Sequence, residues 1–312
     1  MTKSPHLSQR SMLFVPATKW SMIEKAAASA ADAVCIDLED AVAPAEKEAS
    51  RANVVRAFQE IDFGARVRMM RMNALDSPFA YRDLVDVIET VGDRVDMVML
   101  PKASSPADVA FVATLLTQIE ARSGHTRPVA IAAQIESAAG FLYVREIARA
   151  SPRLAMLIFG AGDYAASMRM PAAGIGTFDV HDELYPGHRW HAPMHAIVAA
   201  ARANDLLCLD SPYSDYKDAT GFERACRIAR AMGFDGKQCI HPTQLAVTNE
   251  VFSPNDAELA YARRVVEAYD AAVASGRGAV SLDGTMIDEA SVRLARVVLT
   301  QVQRRDQPRA ER

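Results

Sequence analysis

"PVAIAAQIES", residues 128–137, and "LAMLIFGAGD", residues 154–163, are two apolar runs of strand length, each closing on an acid, Glu136 and Asp163. Neither run alternates apolar with polar residues, so neither describes a strand with one wet face. Continuous hydrophobicity over this length suits a parallel strand buried on both faces. An acid at the end of such a strand needs a partner, because burying a lone carboxylate is costly unless it is paired or bound to a metal.

Runs of the same kind recur along the chain: "MLFVPA" at 12, "AVCIDLED" at 33, "RVRMMRMN" at 66, "DMVMLPKA" at 96, "LLCLDSPY" at 206 and "GKQCIHP" at 236. Helix-like stretches lie between them, among them "WSMIEKAAASAA", "FAYRDLVDVIET", "SPADVAFVATLLTQIEAR" and "MHAIVAAARAND". Eight strands alternating with helices, most of them starting 20 to 33 residues apart, predict an α/β fold, an eight-stranded β/α (TIM) barrel. A doubly wound sheet is the alternative, but no Gly-rich fingerprint follows the first strand. The barrel is expected over residues 1–250. Residues 251–312 then form a C-terminal helical extension, with a helix near 255–274, a break at "SGRGAVSLDG" and a second helix from about 287.

The 312 residues are half hydrophobic and 24% charged, an ordinary globular composition. A net charge of -4 argues against a nucleic-acid partner. No apolar run reaches the roughly 18 residues of a membrane span, and the N-terminus shows no signal-peptide core. Four widely spaced cysteines, Cys35, Cys208, Cys226 and Cys239, point to a reducing, cytoplasmic setting.

In a barrel, chemistry gathers at the C-terminal ends of the strands. Standing there are Pro16, Glu39 and Asp40, Arg71 and Asn73, Lys102, Glu136, Asp163, Asp210 and His241. Glu136 and Asp163 form the sharpest pair, since two hard oxygen ligands with open positions suit magnesium completed by water and substrate oxygens. The small residues that follow, Ser137 to Gly140 and Ala165 to Ser167, allow a substrate close to the backbone. Arg71 offers a planar fork for a carboxylate or a developing oxyanion. Asp37 reads as barrel interior. The 52-residue interval between the sixth and seventh strands holds "MRMPAAGIGTFDVHDELYPGHRWHAP", a long loop on the catalytic face. Its histidines, His181, His188 and His191, with His195 beside them, lack a zinc signature and read as loop and helix-cap residues. "GIG" at 174–176 reads as a turn.

Eight strings in order, "LFVPA", "DAVCIDLEDAVAP", "RMNALDSPF", "LPKA", "IESAAG", "GAGDYAAS", "IHPTQ" and "DGTMID", resemble the citrate lyase β-subunit-like proteins of the aldolase/citrate lyase superfamily, and most closely the malyl-CoA lyases. The resemblance runs from about Ser11 to about Val298. It implies a magnesium-dependent lyase, with manganese as substitute, that cleaves a β-hydroxyacyl-CoA to acetyl-CoA or propionyl-CoA plus a 2-oxo acid such as glyoxylate. Glu136 and Asp163 are then the metal ligands, and Arg71 contacts the oxo-acid end. Phe14, Lys19, Lys25, Gly162 and the pair Ile240 and His241 match positions around coenzyme A or substrate. Asp288 matches a catalytic acid supplied by a neighbouring subunit of a homotrimer or homohexamer, and as a proton donor it requires a raised pKa. "VPATK" departs from the family pattern, carrying Ala17 and Lys19 in place of glycine and arginine. Three other readings stand beside the lyase: a citrate lyase β-subunit working on an acyl carrier protein, a malyl-CoA thioesterase, and a CoA-ester-binding subunit without catalysis.

Overall fold

The computed structural model describes residues 9–184 and 189–306. The chain divides into two compact units, the first from Gln9 to Glu250 and the second from Val251 onward.

In the first unit, eight parallel strands close into a barrel. They are β1 (Ser11–Pro16), β2 (Ala33–Asp37), β3 (Val67–Arg71), β4 (Met97–Leu100), β5 (Ala130–Ile135), β6 (Leu154–Phe159), β7 (Leu207–Asp210) and β8 (Gly236–Cys239). Each pairs with the next in sequence, and β1 meets β8 through Ser11 and Lys237 to complete the ring. Every residue of β2 and of β5 is buried. That is why their sequences run apolar without alternation: the barrel's filling covers one face and the helices cover the other.

The connecting helices show their own logic. In Pro106–Ser123, Val109, Val112, Leu116 and Ile119 recur at three- and four-residue steps and form the buried stripe. Asp108 accepts a hydrogen bond from the Ser105 backbone N–H at 2.9 Å. Gly124, at φ 71°, ends the helix in the left-handed region that glycine tolerates.

Ion pairs gather at the strands' N-terminal ends. Arg10 holds both oxygens of Asp32 at 2.8 Å, just before β1 and β2. Asp96, before β4, takes Arg68 at 3.1 Å and Arg127 at 2.5 Å. Arg153, before β6, meets Glu120 at 2.5 Å, and Arg202 meets Asp235, before β8, at 2.9 Å.

The second unit contains helix Asp256–Ala274, strands β9 (Val280–Leu282) and β10 (Thr285–Ile287), and helix Glu289–Asp306. The segment expected as a break between helices is therefore an antiparallel hairpin. Asp283 and Gly284 form its turn with φ of 51° and 81°, the geometry that favours a two-residue Asp-Gly connection. Ile287 packs with Ala262, Val265, Val292 and Ala295 in a small core of its own. Among the described residues, no helix is long and apolar enough to cross a membrane.

Candidate active site

Strand register builds the first half of the site. Asp37 and Arg71 end β2 and β3 as directly paired residues, so their side chains leave the sheet together. Arg71 Nε donates to Asp37 Oδ1 at 2.7 Å and Nη2 donates to Oδ2 at 2.5 Å. The side-on edge of the guanidinium is thus committed to Asp37, while Nη1 stands 3.1 Å from Glu39 Oε2. The guanidinium lies over the Phe14 ring, 5.0 Å from its centroid. Burial alone would lower the Arg71 pKa; Asp37 and Glu39 outweigh it and raise the value well beyond its ordinary range. The β2 exit is tied down by Lys47, a buried ammonium that donates to the carbonyls of Leu38 and Glu39 at 2.9 Å and to Asn73 Oδ1 at 2.5 Å.

The second half comes from β4, β5 and β6. Glu136 follows β5 and is 3% exposed. Its Oε1 accepts from the Lys102 backbone N–H at 2.7 Å, and its Oε2 accepts from Gln134 Nε2 at 2.7 Å. A Cβ on Gly160 would stand 2.4 Å from Glu136 Oε2, so the residue after β6 must be glycine for the carboxylate to fit. Burial, together with repulsion from Glu39 and Asp163, pushes the Glu136 carboxyl up to about 8 despite the Lys102 N–H and Arg71. Burial also raises Glu39, with Arg71 and Lys102 opposing the shift. Asp163 sits half-exposed in the helix Ala161–Ser167 that follows β6. Lys102, after β4, points its ammonium at Glu39 (2.8 Å), Asp40 (3.5 Å) and Asp163 (3.9 Å).

These residues fit a divalent cation. Four acids, Glu39, Asp40, Glu136 and Asp163, converge, and among the described residues Lys102, one edge of Arg71 and, behind Glu39 and Asp40, Lys47 face them. Two buried oxygens, Glu39 Oε2 and Gln134 Oε1, accept no hydrogen bond, although Glu39 Oε2 lies close to Arg71. An unsatisfied oxygen in a buried acidic site is costly unless something else comes to it. Among the described residues, no group of three or more His, Cys, Asp or Glu is arranged as a cage for metal. Two carboxylates with the remaining positions left to water and substrate is the arrangement magnesium prefers over an all-protein cage.

The other residues named from sequence are distributed more widely. Lys19 and Lys25 are exposed at the helix Trp20–Ala27 after β1. Ile240 is exposed, and the His241 ring stacks on Tyr216 with centroids 4.6 Å apart. A Cβ on Gly162 would meet Ile175 of the long loop at 3.0 Å. Asp210 is taken up structurally in a buried pair with Lys237 at 2.5 Å. His191 and His195 lie ring to ring at 4.3 Å on one helix; His188 falls outside the described residues. Asp288 belongs to the second unit, where its Oδ1 accepts from the Ser291 backbone N–H at 3.0 Å. Hydrogen bonds from Ser291 lower its pKa, the reverse of the raised value expected for a proton donor: within one chain it is a helix-capping carboxylate.

Sequence reasoning missed the Asp37 clamp, the Gln134 and Lys47 supports and the space reserved by Gly160. Asp37 is buried as expected, yet it holds Arg71. The signal for it was its place at the end of β2, one strand before Arg71, but only the register makes them neighbours.

Comparison with known proteins agrees with the fold. A family model described as HpcH/HpaI aldolase/citrate lyase matches residues 10–242. The chain is 44% identical over 305 residues, 96% of each chain, to an L-malyl-CoA/beta-methylmalyl-CoA lyase of Cereibacter sphaeroides. It is 35% identical over 298 residues, 94% of each chain, to a (3S)-malyl-CoA thioesterase of the same species. Among solved structures, CitE from Mycobacterium tuberculosis in complex with magnesium, acetoacetate and coenzyme A matches with a TM-score of 0.74 and 31% identity, covering 95% of this chain and 98% of that one. The barrel and the extent of these matches make the chain a member of the HpcH/HpaI aldolase/citrate lyase family.

Proposed function

We propose that the protein is a magnesium-dependent CoA-ester lyase, working by reversible retro-Claisen cleavage of a malyl-CoA or β-methylmalyl-CoA type substrate to acetyl-CoA or propionyl-CoA plus a 2-oxo acid such as glyoxylate. The observation that carries this reading is the pairing of Glu136 and Asp163 across an under-neutralised mouth with an arginine already fixed by Asp37. Glu136 and Asp163 would hold the magnesium, with manganese as substitute; when bound, the ion supplies Lewis-acid polarisation of the substrate oxygen where charge develops. Arg71 would offer the oxo-acid carboxylate the guanidinium hydrogens that Asp37 does not take, with Nη1 leaving Glu39, and the Asp37 clamp reduces the entropy cost of orienting it at each turnover. Cleavage moves the hydroxyl proton to a base; the carbon–carbon bond electrons pass to the thioester as an enolate, and a proton on the α-carbon completes acetyl-CoA. Asp288 is our candidate to accept that proton and return it to the α-carbon; because Ser291 lowers its pKa within one chain, the role requires the neighbouring subunit's site to raise it. Lys19 and Lys25, exposed beyond β1, are suited to the phosphates of coenzyme A as point charges.

We assign the barrel to residues 1–250 and the shared-site role to residues 251–312, with Asp288 completing the site of a neighbouring subunit in a homotrimer or homohexamer. The four cysteines are free and buried, which suits a reducing cytoplasm. The thioesterase relative favours a second outcome at the same site, hydrolysis to free CoA and malate. Purified protein supplied with magnesium, a panel of acyl-CoAs and 2-oxo acids decides between them by product mass. Condensation products, absent in Glu136→Gln and Asp163→Asn and after EDTA, support the lyase. Malyl-CoA supplied alone and converted to free CoA without acetyl-CoA supports hydrolysis, and full turnover in chelated protein overturns the metal assignment. Mixing inactive Asp288→Ala with inactive Glu136→Ala subunits should restore part of the activity if the site is shared; verified exchange without activity removes that role from Asp288.

A further inference from the structure

Lys102 stands two residues beyond the end of β4, at the mouth of the barrel. Its φ is 51°, in the left-handed region where glycine is at ease and a long side chain is uncommon. A strained position occupied by a non-glycine residue calls for something the side chain does. That conformation aims both ends of the residue at the acids: its backbone N–H reaches Glu136 Oε1 at 2.7 Å, and its ammonium reaches Glu39, Asp40 and Asp163 at 2.8, 3.5 and 3.9 Å. One residue therefore touches all four carboxylates of the mouth. The contacts weaken in order toward Asp163, which is also the more exposed of the two acids assigned to magnesium.

We propose that Lys102 is a tethered cation: it holds the mouth's carboxylates converged in the metal-free chain, competes with magnesium for Asp163, and so sets the affinity for the ion. The inference rests on the assignment of magnesium to Glu136 and Asp163. A lysine suits the task because its ammonium is a compact point charge on a flexible stem, able to withdraw toward Glu39 and Asp40 without dragging the backbone. Its N–H stays on Glu136 in either state, so the ligand remains aimed while the charge beside it is exchanged. Lys102 acts here as a positioning residue, through the carboxylates.

A purely structural ion pair and a competitor predict opposite results. Calorimetry with magnesium chloride, on EDTA-stripped full-length protein without substrate, separates them across wild type, Lys102→Met, Lys102→Gly, Lys102→Arg and Glu136→Gln. We expect the wild type to bind and Glu136→Gln not to. Lys102→Met and Lys102→Gly should bind about tenfold more tightly, the scale of removing one charge a few ångströms from a divalent ion in a largely aqueous mouth. Both should melt lower than wild type when metal-free, with magnesium recovering most of the loss, and Lys102→Arg should return affinity toward wild type. Glycine relaxes at φ 51°, so that variant carries the measurement if the methionine variant folds poorly. Unchanged or weaker binding in the glycine and methionine variants, beside a wild type that binds, overturns the competitor role alone. No binding by any of the proteins overturns the magnesium assignment and the competitor with it.

Discussion

The two ends of the barrel use the same residue types to opposite effect. At the strands' N-terminal ends Asp96 meets two guanidiniums, and Asp32, Glu120 and Asp235 each meet one. Hydrogen bonds from Arg68 and Arg127 overcome burial and hold the Asp96 carboxyl down to about 2. Among the described residues at the C-terminal ends acids outnumber cations, two buried oxygens lack hydrogen bonds, and Glu136 is driven up to about 8. Stoichiometry separates a stabilising end from a reactive one: paired charges contribute to the fold, while unpaired ones keep a place for a ligand's charge at some cost in stability.

Three substitutions probe that contrast. Arg71→Lys keeps the charge but loses the fork clamped by Asp37. Steady-state kinetics should show kcat/KM falling about a hundredfold, the scale of losing one oriented oxyanion donor; unchanged efficiency would make Arg71 structural. Asp96→Asn strikes the other end. Chemical denaturation should show a loss of about 1–3 kcal/mol, the cost of leaving buried partners unsatisfied, with activity per folded molecule unchanged. Because Asp96 is held below its unfolded value, its contribution is present above about pH 4 and lost as pH falls toward about 2. The variant's stability should therefore be flatter across that window.

The subtlest effect lies in pH. Glu136 has a raised folded pKa, so the folded chain keeps a proton that the unfolded chain has released between about pH 4.5 and pH 8. Stability of the metal-free protein must decline across that window on account of this group, and level off above it. Glu136→Gln removes the term, so its melting temperature relative to metal-free wild type should rise from pH 5.5 to pH 8. A constant difference would mean that Glu136 titrates normally.

The strands were legible because a parallel barrel strand leaves its signature in consecutive residues: β5 and β6 are apolar apart from Gln134, with Glu136 directly after β5 and Asp163 four residues beyond β6. The hairpin Val280–Ile287 was not, since three-residue strands carry too little pattern. Its Asp-Gly turn stood in the sequence as a break and needed the flanking residues' burial to become a connection. The acid pair was legible from strand ends alone. The support around it was not, because Asp37 reaches Arg71 through register, Lys102 reaches Glu136 through an unusual backbone angle, and Gly160 contributes by what it lacks. Asp288 shows the reverse: its position was readable, while its ionisation is set by Ser291, which became a partner only when the helix formed.

Gly160 and Gly278 look alike in a sequence, yet a Cβ on Gly278 meets nothing within 4 Å and one on Gly160 meets a carboxylate oxygen and, at 2.8 Å, the amide of Gln134. In a saturation library selected for turnover, position 278 would accept a broad alphabet and position 160 almost none. A genome-scale survey could use that single column as a sieve. A chain of this architecture that keeps both acids but carries a side chain at the position of Gly160 cannot hold its first acid where Glu136 lies, and on the proposed assignment should bind magnesium weakly or not at all.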